Sequence, residues 1–420
     1  LPIQREIMRL LAERHSADLA AAGSRPMRPN FCFAPGTPES YMRSVAAASG
    51  GVGKHFRLAD EPRHWEFTAT DGQNIPRGDA ITLTWSIVPD GTHIPEFKAG
   101  NGSAANSDLR ARLNALYGNE ATWMALFQQV FDRWQELTGI TYVHEPNDDM
   151  AAFSNVALTA PGVLGVRADV RIGGRPIDGD SMTLAFNFDA PNGEMVIDTL
   201  DNAFEDMANN SLLFRNTVSH EHGHGLGIKH VCPIDNTKLM EPFVSENFDG
   251  PQHDDILAGQ RQHGDPMENN DTFAQATNLG VVSDGAVTLN SVLNGAFLSL
   301  DGSDDVDIFK FNVAAAGRTA SLTLRPIGQT YLEGPQIDQI CSEGTLFNSL
   351  TVKNLGIELI SSDASMVLAT ADLNGPGQSE TIATIPLPGG TGPFFVRVFG
   401  GAVDSVQLYE VDLTVATGSS

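Results

Sequence analysis

Residues 219–230 read Ser-His-Glu-His-Gly-His-Gly-Leu-Gly-Ile-Lys-His, a run in which three imidazoles and a carboxylate can converge on one metal ion. On a helix, residues four apart share a face, so His220 and His224 can hold a single ion together. Glu221 follows the first ligand and faces the same cleft, within reach of a proton on metal-activated water. Gly227 permits the positive φ that ends a helix and turns the chain, which lets His230 return as a third ligand. Three imidazoles leave a fourth position for water, the mark of a catalytic rather than a closed structural zinc. With 11 His in 420 residues, the five fixed positions arise by chance in roughly one chain in 10⁴ to 10⁵. The run is read as a zinc site, and His222 falls on another helix face.

Such a helix needs a sheet and a backing helix to hold it. Residues 80–88 alternate like a half-buried strand. Leu126, Val130, Phe131, Trp134 and Leu137 form a helical stripe over 123–137, with Gly139 as its stop and a strand at 140–143. Residues 167–172 read as the next strand, followed by a hairpin turning at Asn192-Gly193. Two further helices are expected at 3–20 and 39–48, separated by a Pro-rich stretch that contains Cys32.

Met240, in Leu239-Met-Glu-Pro242, resembles the Met-turn beneath the zinc of metzincin peptidases, and 250–260 resembles the opening of the last matrixin helix. Residues 65–264 therefore resemble a matrixin-type metzincin domain. The fold this implies is α+β and zincin-like, a twisted mixed sheet with a backing helix and an active-site helix. The resemblance makes Leu184, Ala185 and Phe186 an exposed edge on which a peptide substrate adds as an antiparallel strand. It makes Pro242 and Phe243 a wall of the pocket for the side chain after the cut bond. It also places Asp178, Asp198 and Asp201 on calcium positions, and Asp169 with the 192–194 turn on another. Phe186 and Val196 stand where the family keeps histidines for a structural zinc, so one zinc is expected. Cys32, with Arg28 before it and Pro35 after, resembles a cysteine switch whose thiolate blocks the zinc, although Phe33 replaces the usual Gly. An ordinary packed thiol is the competing reading. Astacins are disfavoured by Pro242-Phe243 after the Met, and adamalysins by few Cys and by Val231.

From about residue 267 the helical patterns give way to short strand-like runs at 286–289, 307–313, 320–324, 394–399 and 406–413, as in an all-β sandwich. Glu268-Asn-Asn-Asp-Thr followed by Asp304-Asp-Val-Asp-Ile-Phe resembles the bacterial pre-peptidase C-terminal domain. That resemblance makes Glu268, Asn270, Asp271 and Asp304 candidate calcium ligands.

A formal charge of −26 argues against nucleic acid or anionic membrane as a partner. No apolar run has the length of a membrane span. Three Cys are too few for a disulfide framework; Cys232 and Cys341 can pair, or all three can be free. The chain opens Leu-Pro-Ile-Gln, which predicts a processed or truncated N-terminus with any signal peptide outside it. The expected organisation is a propeptide-like segment at 1–62, a zinc peptidase domain at 63–266 and a β-sandwich at 267–420. The expected function is a secreted zinc endopeptidase acting on proteins or peptides, with calcium as a structural cofactor. The alternative is a matrix- or surface-binding protein whose sandwich carries the function while the peptidase is latent. A third reading makes the sandwich a removable aid to secretion or solubility.

Overall fold

The computed structural model describes residues 27, 29–46, 64–97, 102–154, 162–288, 298–337 and 340–418; the helix expected at 3–20 lies outside them. The zinc run is carried by a six-stranded sheet, β1 (Asn30–Phe33), β2 (Ile81–Ile87), β3 (Ile140–His144), β4 (Val170–Arg175), β5 (Thr183–Asn187) and β6 (Met195–Asp198). Their spatial order is β1-β5-β6-β4-β2-β3, and only β5 runs against the others. β4 starts three residues later than its pattern suggests. Arg167 is drawn into a turn with the Val163 carbonyl (2.9 Å), and the Asp169 amide donates to Thr84 Oγ1 (2.8 Å).

Among the described residues, five helices pack around this sheet: α1 (Glu39–Ala46), α2 (Leu109–Tyr117), α3 (Glu120–Leu137), α4 (Ala208–Gly225) and α5 (His253–His263). α3 begins where Asn119 accepts a hydrogen bond from the Thr122 amide (3.1 Å), an N-cap. It buries Trp123, Leu126, Phe127, Val130, Phe131, Trp134 and Leu137, each worth about 1.5–3 kcal/mol when removed from water. That stripe lies against α4, where Trp134 Nε1 donates to Ser219 Oγ (3.0 Å) and Phe127 meets Phe214 edge-on. The right-handed part of α4 follows three left-handed residues, Asn209, Asn210 and Ser211.

The β-rich C-terminal part forms two five-stranded sheets around a separate core that includes Phe309, Phe311, Leu322, Ile357, Val396 and Leu413. This is the expected sandwich. The two parts also share structure. β7 (Val231–Cys232), directly after the third His, pairs antiparallel with β8 (Thr330–Ile337), and Cys232 is disulfide-bonded to Cys341. Phe347, Val406 and Leu408 belong to the same apolar cluster as the core between the six-stranded sheet and α3, and Tyr331 donates to Asp254 (2.6 Å).

Asp255, at the start of α5, joins helix to metal-site loop. Its fully buried carboxylate accepts from the amides of Leu239 (2.7 Å), Met240 (3.1 Å) and Gln252 (2.8 Å). Asp255→Ala strands these three buried donors and is expected to lower unfolding free energy by at least ~3 kcal/mol, at ~1–3 kcal/mol per lost partner. Asp255→Asn, which keeps one acceptor oxygen, is expected to lose less; equal urea midpoints for both variants would contradict this.

Candidate metal centre

α4 presents His220 and His224 one turn apart, and Gly227 (φ 86°) reverses the chain so that His230 returns. The three Nε2 atoms converge at 3.1 Å (His220–His224), 3.2 Å (His220–His230) and 3.2 Å (His224–His230). Each Nδ1 meets an oxygen 2.7 Å away: the Leu239 carbonyl for His220, the Ile228 carbonyl for His224 and Gln336 Oε1 for His230. Acceptors at all three Nδ1 atoms hold the ring protons there and leave three Nε2 lone pairs aimed at one point. Lone pairs so close repel unless a cation stands among them. Tetrahedral zinc with Zn–N of 2.0–2.1 Å spaces its nitrogen ligands by about 3.3 Å, so the set fits zinc. Burial pushes His220 down to about 4 and His224 well below its ordinary value, which keeps both rings neutral, as ligands must be.

Met240 is fully buried beneath α4, its sulfur so close to Gly223 that any Cβ there would collide. His222 faces away as expected, its Nε2 2.6 Å from the Tyr142 hydroxyl among Phe131 and Trp134. Glu221 is fully buried, and burial raises it well above the usual carboxylate range. The groups beside it are the amide and thiol of Cys32. Cys32 Sγ, a His220 ring nitrogen and a Glu221 oxygen lie within 4.8 Å of one another, a group that shares His220 with the imidazole triad.

The substrate edge differs from expectation. Leu184, Ala185 and Phe186 are fully buried, because β1 lies antiparallel along β5 with Phe31 opposite Phe186 and Cys32 opposite Ala185. On its other side β1 meets the expected pocket wall. The Phe33 amide donates to the Pro242 carbonyl (3.2 Å), the Val244 amide donates to the Phe33 carbonyl (3.3 Å), and Phe33 bridges Phe243 in parallel. An apolar edge with unpaired backbone groups is filled by the chain's own Phe-Cys-Phe. Lys229, between the last two zinc-motif positions, anchors it by donating to Asp189 (2.7 Å) and Asn30 Oδ1 (2.9 Å).

The residues of this domain expected to hold calcium each accept hydrogen bonds. Asp198 accepts from the amides of Asp178 (3.1 Å), Gly179 (3.0 Å) and Leu200 (2.9 Å), and Asp201 from Ser181 (3.2 Å) and Ala203 (2.7 Å). Burial, aided by Asp198, raises Asp178 to about 6. Asp169 accepts from Ala69 (2.9 Å) and from the amide and hydroxyl of Thr84 (3.0 and 2.7 Å). In the 192–194 turn Glu194 pairs with Arg171 (2.8 Å), which also binds Asp148, so a guanidinium stands beside the turn.

A second acidic cluster lies where the two parts of the chain meet. Asp265, Glu268 and Asp307 form one three-carboxylate group, and Glu268, Asp301 and Asp305 another. Asn270 is fully buried with both side-chain polar atoms unpartnered. Asp271 lies beside Glu268 and Asp305, whereas Asp304 is exposed and joins neither group. Asp301 lies against Gly78 and the Asn269 side chain accepts from the Ala80 amide (2.8 Å), so the cluster spans the junction. Asp265, Asp301, Asp305 and Asp307 escaped the sequence reading because an Asp-rich loop does not reveal which carboxylates turn inward. Gln336, 106 residues from His230, carried no sequence signal at all.

Residues 112–264 match the matrixin peptidase family. The part of the chain that presents the imidazole triad is therefore similar to matrixins. No curated protein matches the chain. Among solved structures, the chain is similar to the pre-peptidase C-terminal domain of collagenase from Bacillus anthracis, with 17% identity and a TM-score of 0.18, over 34% of this chain and 94% of that one. The matrixin core accounts for the motif, the Met-turn and α5 together, and its family implies a catalytic zinc at the imidazole triad.

Proposed function

We propose that the protein is a secreted zinc endopeptidase, held latent by its own residues 30–33. The observation that carries the reading is the convergence of three Nε2 lone pairs beside the buried Glu221 carboxylate. His220, His224 and His230 would hold the ion, which supplies a Lewis acid and a water made acidic enough to ionise near neutral pH. Glu221 takes the proton of the attacking water and returns it to the leaving amine. The β5 edge and the 242–244 wall bind the substrate backbone between them, the two contacts that β1 now makes. A matrixin fold supports protein substrates, and the disulfide supports an oxidising extracellular setting. No helix among the described residues is long and apolar enough to cross a membrane.

Latency follows from β1 filling the cleft, with Cys32 set on the Glu221 side of the site. Calcium is assigned to the junction cluster of Asp265, Glu268, Asp301, Asp305 and Asp307, with Asn270 as a neutral oxygen ligand and Asp271 beside them. An all-oxygen, carboxylate-rich set suits calcium.

Glu221→Ala is expected to retain about one zinc per chain while casein hydrolysis falls by ~10²–10⁴-fold, the usual share of a general base; substantial residual hydrolysis would remove Glu221 from the role. Cys32→Ala is expected to raise basal hydrolysis about tenfold, equivalent to losing ~1.4 kcal/mol of blocking contact, and an unchanged basal rate would count against the thiol. The acidic cluster carries a pH signature. Burial and mutual repulsion raise Asp265 and Asp305 to about 7, so the folded chain binds their protons more tightly than the unfolded chain does. Without calcium, stability therefore falls as pH rises from about 4, the ordinary Asp value, through about 7. Calcium stabilises the ionised forms, so it is expected to raise Tm more at pH 8 than at pH 5. An equal shift at both pH values would contradict the assignment.

A further inference from the structure

We infer that Gln336, from the C-terminal part of the chain, is a positioning residue for the catalytic zinc: its amide oxygen orients His230. The inference rests on the zinc-peptidase reading above and adds a residue that the motif does not contain.

The three ligands are not held alike. His220 and His224 sit on α4, fully buried, with Nδ1 against main-chain carbonyls of their own domain. His230 lies beyond the helix end, after the Gly227 turn, and is only partly buried. Its Nδ1 faces Gln336 Oε1 at 2.7 Å, a side chain contributed from across the domain junction. The placement is built rather than incidental. β7 begins at the residue after His230, and its antiparallel register sets Val231 opposite Pro335 and Cys232 opposite Gly334. One step further along that register, His230 faces Gln336. The Cys232–Cys341 disulfide holds the same segment from the other end.

The chemistry gives this contact a specific task. An oxygen at Nδ1 keeps the proton there, so Nε2 offers its lone pair to the ion. It also fixes the ring plane of the ligand with the weakest attachment to the helix. Outer partners of this kind typically contribute 10–100-fold to metal affinity. The β-rich part of the chain is thus a component of the metal centre, which argues against its being a removable appendage. A free peptidase domain would keep all three imidazoles and lose the group that orients one of them.

The full-length protein tests this through zinc affinity, measured by competition with a metallochromic chelator, and through the visible spectrum of the cobalt-substituted form. Gln336→Ala is expected to weaken zinc binding by roughly 10–100-fold and to alter the cobalt spectrum. Gln336→Glu keeps an acceptor oxygen at the same place and is expected to restore affinity to within a few-fold of the parent. Leu346→Ala, at an exposed position on the strand paired with β8, is expected to match the parent and controls for disturbance of this segment. Parent-like affinity and spectrum for Gln336→Ala would overturn the inference and leave the zinc reading standing. Equal losses for the Ala and Glu variants would also overturn it, since the acceptor would then be irrelevant. A parent chain that binds no zinc, or a His220→Ala variant that binds as the parent does, would instead defeat the underlying assignment.

Discussion

Three imidazole lone pairs brought within about 3 Å of one another are a costly arrangement in a protein interior, and the structure around them exists to maintain it. α3 presses on α4 from one side through Trp134 and Phe127. The 239–240 turn supports it from another, carrying the carbonyl that faces His220 and the sulfur that packs against Gly223. Asp255 holds that turn by its two amides and caps α5 with the same carboxylate. A buried polar network of this kind fixes one geometry because alternatives leave donors unsatisfied. A cation resolves the repulsion that the protein scaffold imposes.

The cleft beside this centre shows a second constraint. A half-paired strand edge and an apolar pocket wall demand an occupant, and β1 supplies backbone pairing on one side and hydrogen bonds to 242–244 on the other. Phe31 and Phe33 bury against Phe186 and Phe188 in a cluster distinct from the main core. Lys229 links the zinc run to this occupant through Asp189 and Asn30, so closure of the cleft and geometry of the centre share residues.

Much of this was legible in the residues, for physical reasons that differ by feature. The 3.6-residue period places His220 and His224 together whatever surrounds them, and a Gly at 227 announces the turn that returns His230. The stripe from Leu126 to Leu137 declares α3, and alternation at 81–87 declares β2. Long-range pairing was not legible in the same way. Nothing in residues 30–33 says that they will lie on 183–187, because a strand edge accepts many apolar segments. The Arg171 guanidinium at Glu194 and the backbone amides at Asp169 and Asp198 are likewise partners that sequence spacing does not encode. The Gln336 contact depends on a register between β7 and β8 that only the folded chain defines.

The central claim is that His220, His224 and His230 hold one zinc through Nε2, with the Cys32 thiol on the side of the base rather than on the metal. X-ray absorption at the zinc edge of the full-length protein tests it most directly. The account predicts one zinc with three imidazole nitrogens at about 2.0 Å, completed by a light oxygen scatterer. A chain that retains no zinc, or a zinc shell containing a sulfur at about 2.3 Å, would contradict it.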